Sequence, residues 1–284
     1  MQKIIPPLTL YVKVVFVFIV HLLLIGCTTA EDELQHKGGV AISFDDHFID
    51  EWYQLRPLFK QHGAKVTFFI TCADTLTEAE KRLLHELQED GHEIGFHGTV
   101  HGNATQLLSS ASVDGYISTE LEPGMKYMQQ AGFHPTSYAH PGGNHNALAD
   151  SVLLAQGFTI LRDVAKNERS LYGVQLYHLP PKYMPHIYYT FDHDSTVDAL
   201  TIDTDVHISQ EEIREGLIKA RDTGTVLMLF GHKPLYQEPR PGEYGFRVSF
   251  LNSILAQADS LDLQFYTMSE LPALSDQRPK RSSL

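Results

Sequence analysis

Short apolar runs alternate with amphipathic stretches along most of this 284-residue chain. The run GVAISF at 39–44 is short, begins at a Gly pair and predicts a buried strand. Between 50 and 62, apolar residues recur at helical spacing until Gly63. The same patterns predict further strands at 65–71, 92–96, 136–139, 157–162, 198–202, 225–230 and 263–267, and further helices at 77–90, 111–131, 147–155, 209–222 and 247–259.

This order of elements is typical of a parallel sheet covered by helices. Its seven or eight strand–helix units predict an α/β fold, a TIM-like and distorted (β/α)7-8 barrel. Functional residues of such a barrel lie at the C-terminal ends of its strands. Residues 170–197 interrupt the alternation and predict a long loop over one barrel end. Thr77 and Glu80 have the spacing of a helix capping box.

The N-terminal segment has the pattern of a secretory signal. Lys3 and Lys13 provide a basic start. The apolar run at 14–25 is shorter than the roughly 20 residues that span a bilayer as a helix, and it fits the central region of a signal peptide. The run leads into LIGC, which resembles a bacterial lipobox and predicts lipidation of Cys27. An uncleaved anchor or an ordinary signal peptide is the alternative.

Four regions follow from these patterns. They are a signal peptide at 1–26, a lipidated Cys27 with a polar tether at 27–38, the main domain at 39–274, and a polar tail at 275–284. The protein is therefore expected in the cell envelope, held to a membrane by the lipid on Cys27. The acidic residues after the cysteine favour the outer membrane or the cell surface.

Composition narrows the classes of function. The net charge of −13 disfavours nucleic acid as a partner, because phosphate binding requires clustered Lys and Arg. With two cysteines, Cys27 and Cys72, the chain has neither a disulfide scaffold nor a cysteine-built zinc finger. Sixteen histidines are more than a chain of this length usually carries, and they point to metal chemistry.

Three groups of polar residues follow predicted strands. Asp45 and Asp46 end the first strand, where adjacent carboxylates are unfavourable to bury unless a cation balances them. His97 and His101 follow the third strand, and on one helical turn their imidazoles would reach one metal. His232 follows the strand at 225–230. Each group alone fits a cap, a solvated face or a strand-end histidine, but their shared position favours a hydrolytic metal site.

Five segments of the chain match motifs of one known family. The segment 91–101, GHEIGFHGTVH, matches the family pattern G-H-E-I-G-x-H-x-x-x-H and is the most specific of them. On these segments, residues 38–271 resemble the polysaccharide deacetylases of the NodB-homology type, carbohydrate esterase family 4, and the barrel would be of that type. The other segments are 43–46 (SFDD), 63–69 (GAKVTFF), 138–143 (YAHPGG) and 226–232 (VLMLFGH).

The resemblance implies a role for each matching residue. Asp46, His97 and His101 would bind a divalent metal, most often Zn²⁺. Asp45 would be the general base for the attacking water, and His232 the general acid for the departing amine or alcohol. The substrate would be an acetylated polysaccharide. Its remaining contacts would be the backbone N–H of Gly142, which helps to hold the oxyanion, and Tyr138, Pro141 and Gly143.

The chain departs from the family pattern at three places. His47 stands where the first motif continues with Gly, as an extra ligand, a substrate contact or a tolerated side chain. Ala139 stands where other members have the Arg that steadies the base, and Arg162 is expected to supply that cation, a surface Arg being the alternative. Two residues separate Leu229 from His232, where many members have one, so His232 is expected to be slightly displaced.

The favoured function is a metal-dependent hydrolase that removes acetyl groups from a polysaccharide, with an N-acetyl hexosamine polymer as substrate. One alternative is an O-acetyl esterase acting on a glycan such as xylan. Another is a surface glycan-binding lipoprotein without turnover. A deacetylase-like amidohydrolase for a small cyclic amide is a third, which the lipoprotein signal disfavours.

Other aromatic and histidine residues have no motif behind them. The tyrosines of the 170–197 loop would form a substrate wall or pack the loop onto the barrel. The unassigned histidines are expected on the surface or in loops. These residues are Tyr172, Tyr177, Tyr183, Tyr188, Tyr189, His140, His145, His186 and His193.

Overall fold

Parallel strands with helices outside them make up the part of the chain that the computed structural model describes, residues 36–71, 75–171, 174–240 and 242–275. In chain order the strands are β1 (Gly39–Asp46), β2 (Thr67–Ile70), β3 (Glu93–Phe96), β4 (Ser137–Ala139), β5 (Ile160–Ala165), β6 (Glu168–Leu171), β7 (Val174–His178), β8 (Tyr188–Tyr189), β9 (Thr196–Thr201), β10 (Val226–Gly231), β11 (Pro234–Leu235), β12 (Phe246–Arg247) and β13 (Gln264–Tyr266). The helices are α1 (Ile49–Tyr53), α2 (Arg56–His62), α3 (Glu78–Glu89), α4 (Ala104–Tyr116), α5 (Glu122–Gln130), α6 (Ala147–Ala155), α7 (Gln210–Thr223), α8 (Val248–Ser260) and α9 (Glu270–Ser275).

Several expectations concern residues beyond these ranges. The predicted signal peptide at 1–26 and the lipidation site Cys27 lie outside the described residues, as do Cys72 and Tyr172. The predicted tail begins later than expected, because Ser275 ends α9 and is buried, and residues 276–284 lie outside the description. Among the described helices, none is long and apolar enough to cross a membrane.

Seven of the strands close into a barrel. Their order is β1, β2, β3, β4, β5, β9 and β10, and β10 pairs again with β1. Every pairing around this ring is parallel. The predicted (β/α) barrel is therefore confirmed, with seven strands, and the C-terminal ends of all seven strands lie at one end of the barrel.

The strand predicted at 263–267 does not enter the ring. It is β13, which pairs with the beginning of β1 at Gly39–Ala41, whereas β2 pairs with the end of β1 at Ser43–Asp46. It therefore fills the space between β1 and β2 at the N-terminal end of the barrel. Register decides this, because β1 extends beyond β2 and leaves its first residues free to pair on that side.

The long loop predicted at 170–197 contains regular structure instead. Strands β6 and β7 form an antiparallel hairpin, and β8 pairs antiparallel with the start of β10. Tyr188 and Tyr189 are therefore buried near the N-terminal end of the barrel, far from the strand ends where a substrate wall is required. Tyr183 is 60% exposed, whereas the side chains of Tyr172 and Tyr177 are not described.

Two predicted helices are interrupted. The segment 50–62 forms α1 and α2, because Pro57 at the start of α2 lacks the N–H that would continue the first helix. The helix predicted at 111–131 is preceded by helical residues from Ala104 that kink at Ser112, where φ is +68°, and it contains a π-helical turn at Ile117–Leu121 before α5. The capping box at the start of α3 is confirmed, with Thr77 Oγ1 accepting from the N–H of Glu80 at 3.2 Å.

The barrel interior is apolar in its middle and polar at both ends. Alternate strand residues face inward. Fourteen buried side chains, mostly from the barrel strands, form the interior cluster, with Phe69, Met228 and Phe230 among the largest. At the N-terminal end, Glu93 accepts hydrogen bonds from Thr67 and Ser137 at 3.0 and 2.6 Å. The inward positions at the C-terminal end carry the charged residues of the site.

Candidate active site

Five of the predicted residues come together at the C-terminal end of the barrel. Asp45 and Asp46 end β1, His97 follows β3, and His101 lies in the loop after it. His97 Nε2 lies 3.9 Å from Asp45 Oδ2 and 3.7 Å from Asp46 Oδ1, and His101 Nε2 lies 3.5 Å from the same Asp46 oxygen. Arg162 reaches this group from β5 and contacts Asp45.

Asp46, His97 and His101 fit a divalent metal. One donor atom from each residue lies within 4.8 Å of the other two. Nitrogen and oxygen ligands placed tetrahedrally at Zn²⁺ bond lengths are about 3.4 Å apart, close to the observed separations. His97 Nδ1 lies 2.8 Å from the carbonyl oxygen of Ala139, to which it donates. This bond leaves the lone pair of His97 on Nε2, facing the other two donors.

The two histidine ligands are not on a helical turn, contrary to the expectation from their spacing. They lie in an irregular loop in which Gly98 has φ +82° and His101 has φ +53°. The loop is shaped by Glu120, whose carboxylate accepts from the N–H groups of Val100 and Gly102 at 3.2 and 2.9 Å. A Cβ at Gly98 would lie 1.9 Å from Glu120 Oε1, so glycine is required there.

Glu120 has no motif that would have identified it. It lies in the π-helical turn, is fully buried, and has a pKa raised by burial to about 6. Asp46 likewise has φ +87°, a conformation rare for residues other than glycine. Backbone conformation of this kind concentrates at functional sites, and here two of the three candidate ligands adopt it.

The candidate base Asp45 is paired with Arg162. Both side chains are almost completely buried. The guanidinium carbon of Arg162 lies 4.4 Å from the ring centre of Phe230, which holds it inside the barrel. Burial would raise the pKa of Asp45, but Arg162, His97 and His232 more than offset it and lower that pKa. Asp45 Oδ1 has no hydrogen-bond partner among the described residues.

Arg162 lies where the missing family Arg would be expected. Ala139 of β4 and Arg162 of β5 are direct partners in the strand register, and both are fully buried. The alternative of a surface Arg is therefore wrong. The sequence signal was the position of Arg162 within a strand that neighbours the third motif.

His232 is held by Asp203, which the sequence reasoning missed. His232 Nδ1 bonds to Asp203 Oδ2, and the His232 N–H donates to Asp203 Oδ1 at 3.1 Å. Trp52 Nε1 donates to the His232 carbonyl oxygen at 2.8 Å. Burial lowers the pKa of His232, but the bond to Asp203 and the charge of Asp45 raise it to about 9. Asp203 lies just beyond β9, and that carboxylate at a strand end was its only signal.

Tyr244 also contributes to the site. Its hydroxyl donates to Asp46 Oδ2 at 3.0 Å, and its ring centre lies 5.3 Å from that of His232. Burial and the charge of Asp46 raise the pKa of Tyr244 to about 12. The residue is 49% exposed and lies in an irregular segment, where no sequence pattern indicates a role.

The structure narrows the alternatives for His47. Its Nδ1 lies 3.0 Å from the carbonyl oxygen of Thr71, and its Nε2 lies 3.0 Å from Glu80 Oε1. Both ring nitrogens are therefore engaged away from the candidate metal ligands. In this arrangement His47 ties the end of β1 to the first turn of α3.

The third motif has one open glycine and two buried residues. Pro141–Gly143 form a 3-10 turn, and a Cβ at Gly142 would meet nothing within 4 Å, which leaves its backbone accessible. Pro141 is buried, and Gly143 packs against Val164. Tyr138 is fully buried beside Phe96, so it does not face the site. Strand alternation explains this correction, because Ala139 takes the inward position.

His140 is also buried rather than exposed, whereas His186 and His193 lie on the surface as expected. His145 is partly buried beside His140, and both contact Asp150.

Comparisons with known proteins agree with this arrangement. Residues 33–161 match the family model described as polysaccharide deacetylase. No curated protein matches the chain significantly. The family match ends before Arg162. The placement of Arg162, Asp203 and His232 in the site therefore rests on the structure alone.

Solved structures with the same fold include a chitin deacetylase, a domain of a xylanase and a peptidoglycan deacetylase. The chitin deacetylase of the fungal pathogen Colletotrichum lindemuthianum is 17% identical, covering 84% of this chain and 90% of that one, with a TM-score of 0.53. The CE4 domain of a multidomain xylanase from the hindgut metagenome of Trinervitermes trinervoides is 15% identical, covering 86% and 94%, with a TM-score of 0.51. The peptidoglycan deacetylase PdaC of Bacillus subtilis is 17% identical, covering 85% and 93%, with a TM-score of 0.50.

At these identities the structures share a fold with this chain. Residues 33–161 are thus similar to the polysaccharide deacetylase family, and the seven-stranded barrel is the fold of the solved deacetylase structures.

Proposed function

We propose that this protein hydrolyses acetyl groups on a polysaccharide, with an N-acetyl hexosamine polymer as the favoured substrate. One observation carries the proposal. A three-donor metal group, a buried carboxylate paired with Arg162, and a histidine paired with Asp203 converge at one end of the barrel. Metal-assisted hydrolysis of an acetyl group uses each of these functions: a Lewis acid, a general base and a general acid.

Asp46, His97 and His101 would hold the divalent ion, which supplies Lewis-acid polarisation of the acetyl carbonyl when bound. Asp45 is the base. Its pKa is lowered, so the carboxylate is ionised at neutral pH and able to accept a proton from water. Oδ2 is occupied by Arg162, and Oδ1 is therefore the atom that receives the proton.

His232 is the acid. Asp203 occupies Nδ1, so the proton is delivered from Nε2 to the leaving group. A pKa near 9 keeps His232 protonated at neutral pH, which suits the departure of an amine from an amide. The open backbone of Gly142 is the candidate donor to the oxyanion.

An O-acetyl ester would be hydrolysed by the same residues, since both reactions pass through a tetrahedral oxyanion. The CE4 domain of a xylanase has this fold, which keeps an acetylated xylan as the second candidate substrate. A protonated His232 supports the amide, because an alkoxide leaves more readily than an unprotonated nitrogen, so ester cleavage depends less on an acid.

The first prediction concerns turnover. Full-chain protein stripped of metal and reloaded with Zn²⁺ should release acetate from chitin oligomers or peptidoglycan. Asp45→Asn should lower kcat/KM by at least about 100-fold, since a general base contributes on that scale, and should keep the metal. Asp50→Asn, on the exposed side of α1, is the matched control and should leave the rate unchanged.

Acetate release from acetylated xylan alone would move the assignment to the esterase. With the metal still bound, no acetate from any of these substrates would favour the glycan-binding protein and sink the proposal.

The second prediction concerns Arg162. Arg162→Ala should reduce turnover and lower the free energy of unfolding by about 3–5 kcal/mol, because Asp45 would remain buried without its cation. The pKa of Asp45 should rise, so the acid limb of the kcat/KM profile should move to higher pH. Adding Ala139→Arg to this variant should restore part of the turnover and part of the free energy of unfolding, since positions 139 and 162 are register partners facing the interior. Unchanged turnover in Arg162→Ala would remove this residue from the mechanism.

The third prediction concerns the alkaline limb of the profile of turnover against pH. Turnover should decline as pH rises through about 9, where His232 loses its proton. Asp203→Asn removes the charge that raises this pKa while burial continues to lower it, so the limb should move to lower pH. Asp205→Asn, two residues away and exposed, is the control. A limb at the same pH in wild type and Asp203→Asn would show that His232 is not the acid.

We also propose that the protein is lipidated on Cys27 and anchored in the cell envelope, at the outer membrane or cell surface. The support is the LIGC sequence after the apolar run. Cells expressing the full chain and fed radiolabelled palmitate should yield labelled protein in the membrane fraction. Cys27→Ser should lose the label and leave that fraction. Equal labelling of Cys27→Ser would exclude this anchor.

A further inference from the structure

A second group of histidines and carboxylates lies outside the barrel, where β4 and β5 end. His140 directly follows β4, and Asp150 lies in the first turn of α6. Asp150 Oδ1 lies 3.1 Å from His140 Nε2 and 2.9 Å from His145 Nδ1. One donor atom from each of the three lies within 4.8 Å of the others.

His140 is an unusual member of this group. The side chain is fully buried, yet neither ring nitrogen makes a hydrogen bond within the described residues. Its Nε2 is close to Asp150 without the geometry of such a bond. A buried imidazole nitrogen without a hydrogen bond is unfavourable, and most such groups in folded proteins are satisfied by a protein atom, a water or an ion.

His145 has the outer contact that metal-bound histidines commonly show. Its Nε2 lies 2.7 Å from Asp163 Oδ2, on the side of the ring opposite the Asp150 contact. A carboxylate that accepts from the distal nitrogen orients the ring and makes the other nitrogen a better ligand. His145 is also 25% exposed at its side chain, which opens a route from solvent.

We propose that His140 Nε2, His145 Nδ1 and the Asp150 carboxylate bind a second divalent cation of the Zn²⁺ type, with Asp163 supporting His145. Tetrahedral ligands of such an ion are about 3.4 Å apart, so the two measured separations need only a few tenths of an ångström of adjustment. This site shares no ligand with Asp46, His97 and His101. It does not depend on the proposed function.

The position of the site gives it a structural role. His140 and His145 flank the Pro141–Gly143 turn, and Asp150 belongs to α6. An ion bound to all three would fasten the turn that carries Gly142 to the helix outside the barrel. The competing arrangement is a chain of hydrogen bonds through Asp163, His145, Asp150 and His140 that needs no ion.

Metal stoichiometry separates the two arrangements. The full-chain protein would be stripped with a chelator, dialysed against Zn²⁺ and measured by elemental analysis. We expect two ions per chain in the wild type, and one in the His97→Ala/His101→Ala variant, which leaves the second group intact. Asp150→Asn and His145→Ala should each reduce the wild-type count by one. His134→Ala, an exposed histidine outside both groups, should retain two ions.

Cobalt provides an independent readout. In the His97→Ala/His101→Ala background, Co²⁺ should give the visible absorption of a four-coordinate site, and Asp150→Asn should abolish it. Circular dichroism would verify that each variant is folded. A wild-type chain with one ion, or a His97→Ala/His101→Ala variant without any, would overturn the proposal and leave the hydrogen-bond chain. Loss of acetate release with two ions bound would instead count against the proposed function alone.

Discussion

The ion pair between Asp45 and Arg162 is the interaction on which the site depends. Both charges are withdrawn from water at the C-terminal end of the barrel, above the apolar middle of its interior. Separating them would leave an uncompensated buried charge, which is far less favourable than the pair itself. The pair therefore fixes Arg162 over Phe230 and fixes the carboxylate beside the candidate metal ligands. Asp45 Oδ1 has no hydrogen-bond partner among the described residues, as its proposed role as proton acceptor requires.

The remaining groups of the site are held in the same manner, each by a contact behind it. The ring of His97 is oriented by the carbonyl of Ala139, and the ring of His232 by Asp203. The loop with His101 follows the carboxylate of Glu120. These contacts maintain backbone conformations that the chain would not adopt alone, such as the positive φ of Asp46 and His101. Strain of this kind persists only where the surrounding structure enforces it.

Strands β4 and β5 place functional side chains on both the inner and the outer face of the barrel. Consecutive strand residues point to opposite faces. Arg162 therefore points into the site, while Asp163 points outward and contacts His145. In the same way, Ala139 lies on the inner face beside His97, and His140 lies on the outer face beside Asp150. The turn with Gly142 lies between the two groups, so its position depends on packing from both sides.

Features that depend on neighbouring residues along the chain could be predicted from the sequence alone. Apolar periodicity located the seven barrel strands, and the motifs that resemble the family selected Asp46, His97 and His101 as candidate ligands, which the fold brings together. The sequence also singled out Arg162, because a cation was missing at Ala139. Capping at Thr77 was readable for the same reason, since its partner is three residues away.

Two kinds of feature can be read only from the tertiary structure. They are contacts between residues far apart in the chain, and the face of the sheet that each strand residue occupies. Asp203 and Tyr244 reach the site from segments far from their partners; Asp203 is marked only by its place at a strand end, and Tyr244 by no local pattern. Tyr138 points outward and His140 is buried because the register of β4 places Ala139 inside. A strand that is slid by one residue reverses every side chain, and three residues of β4 are too few for the sequence to specify that phase.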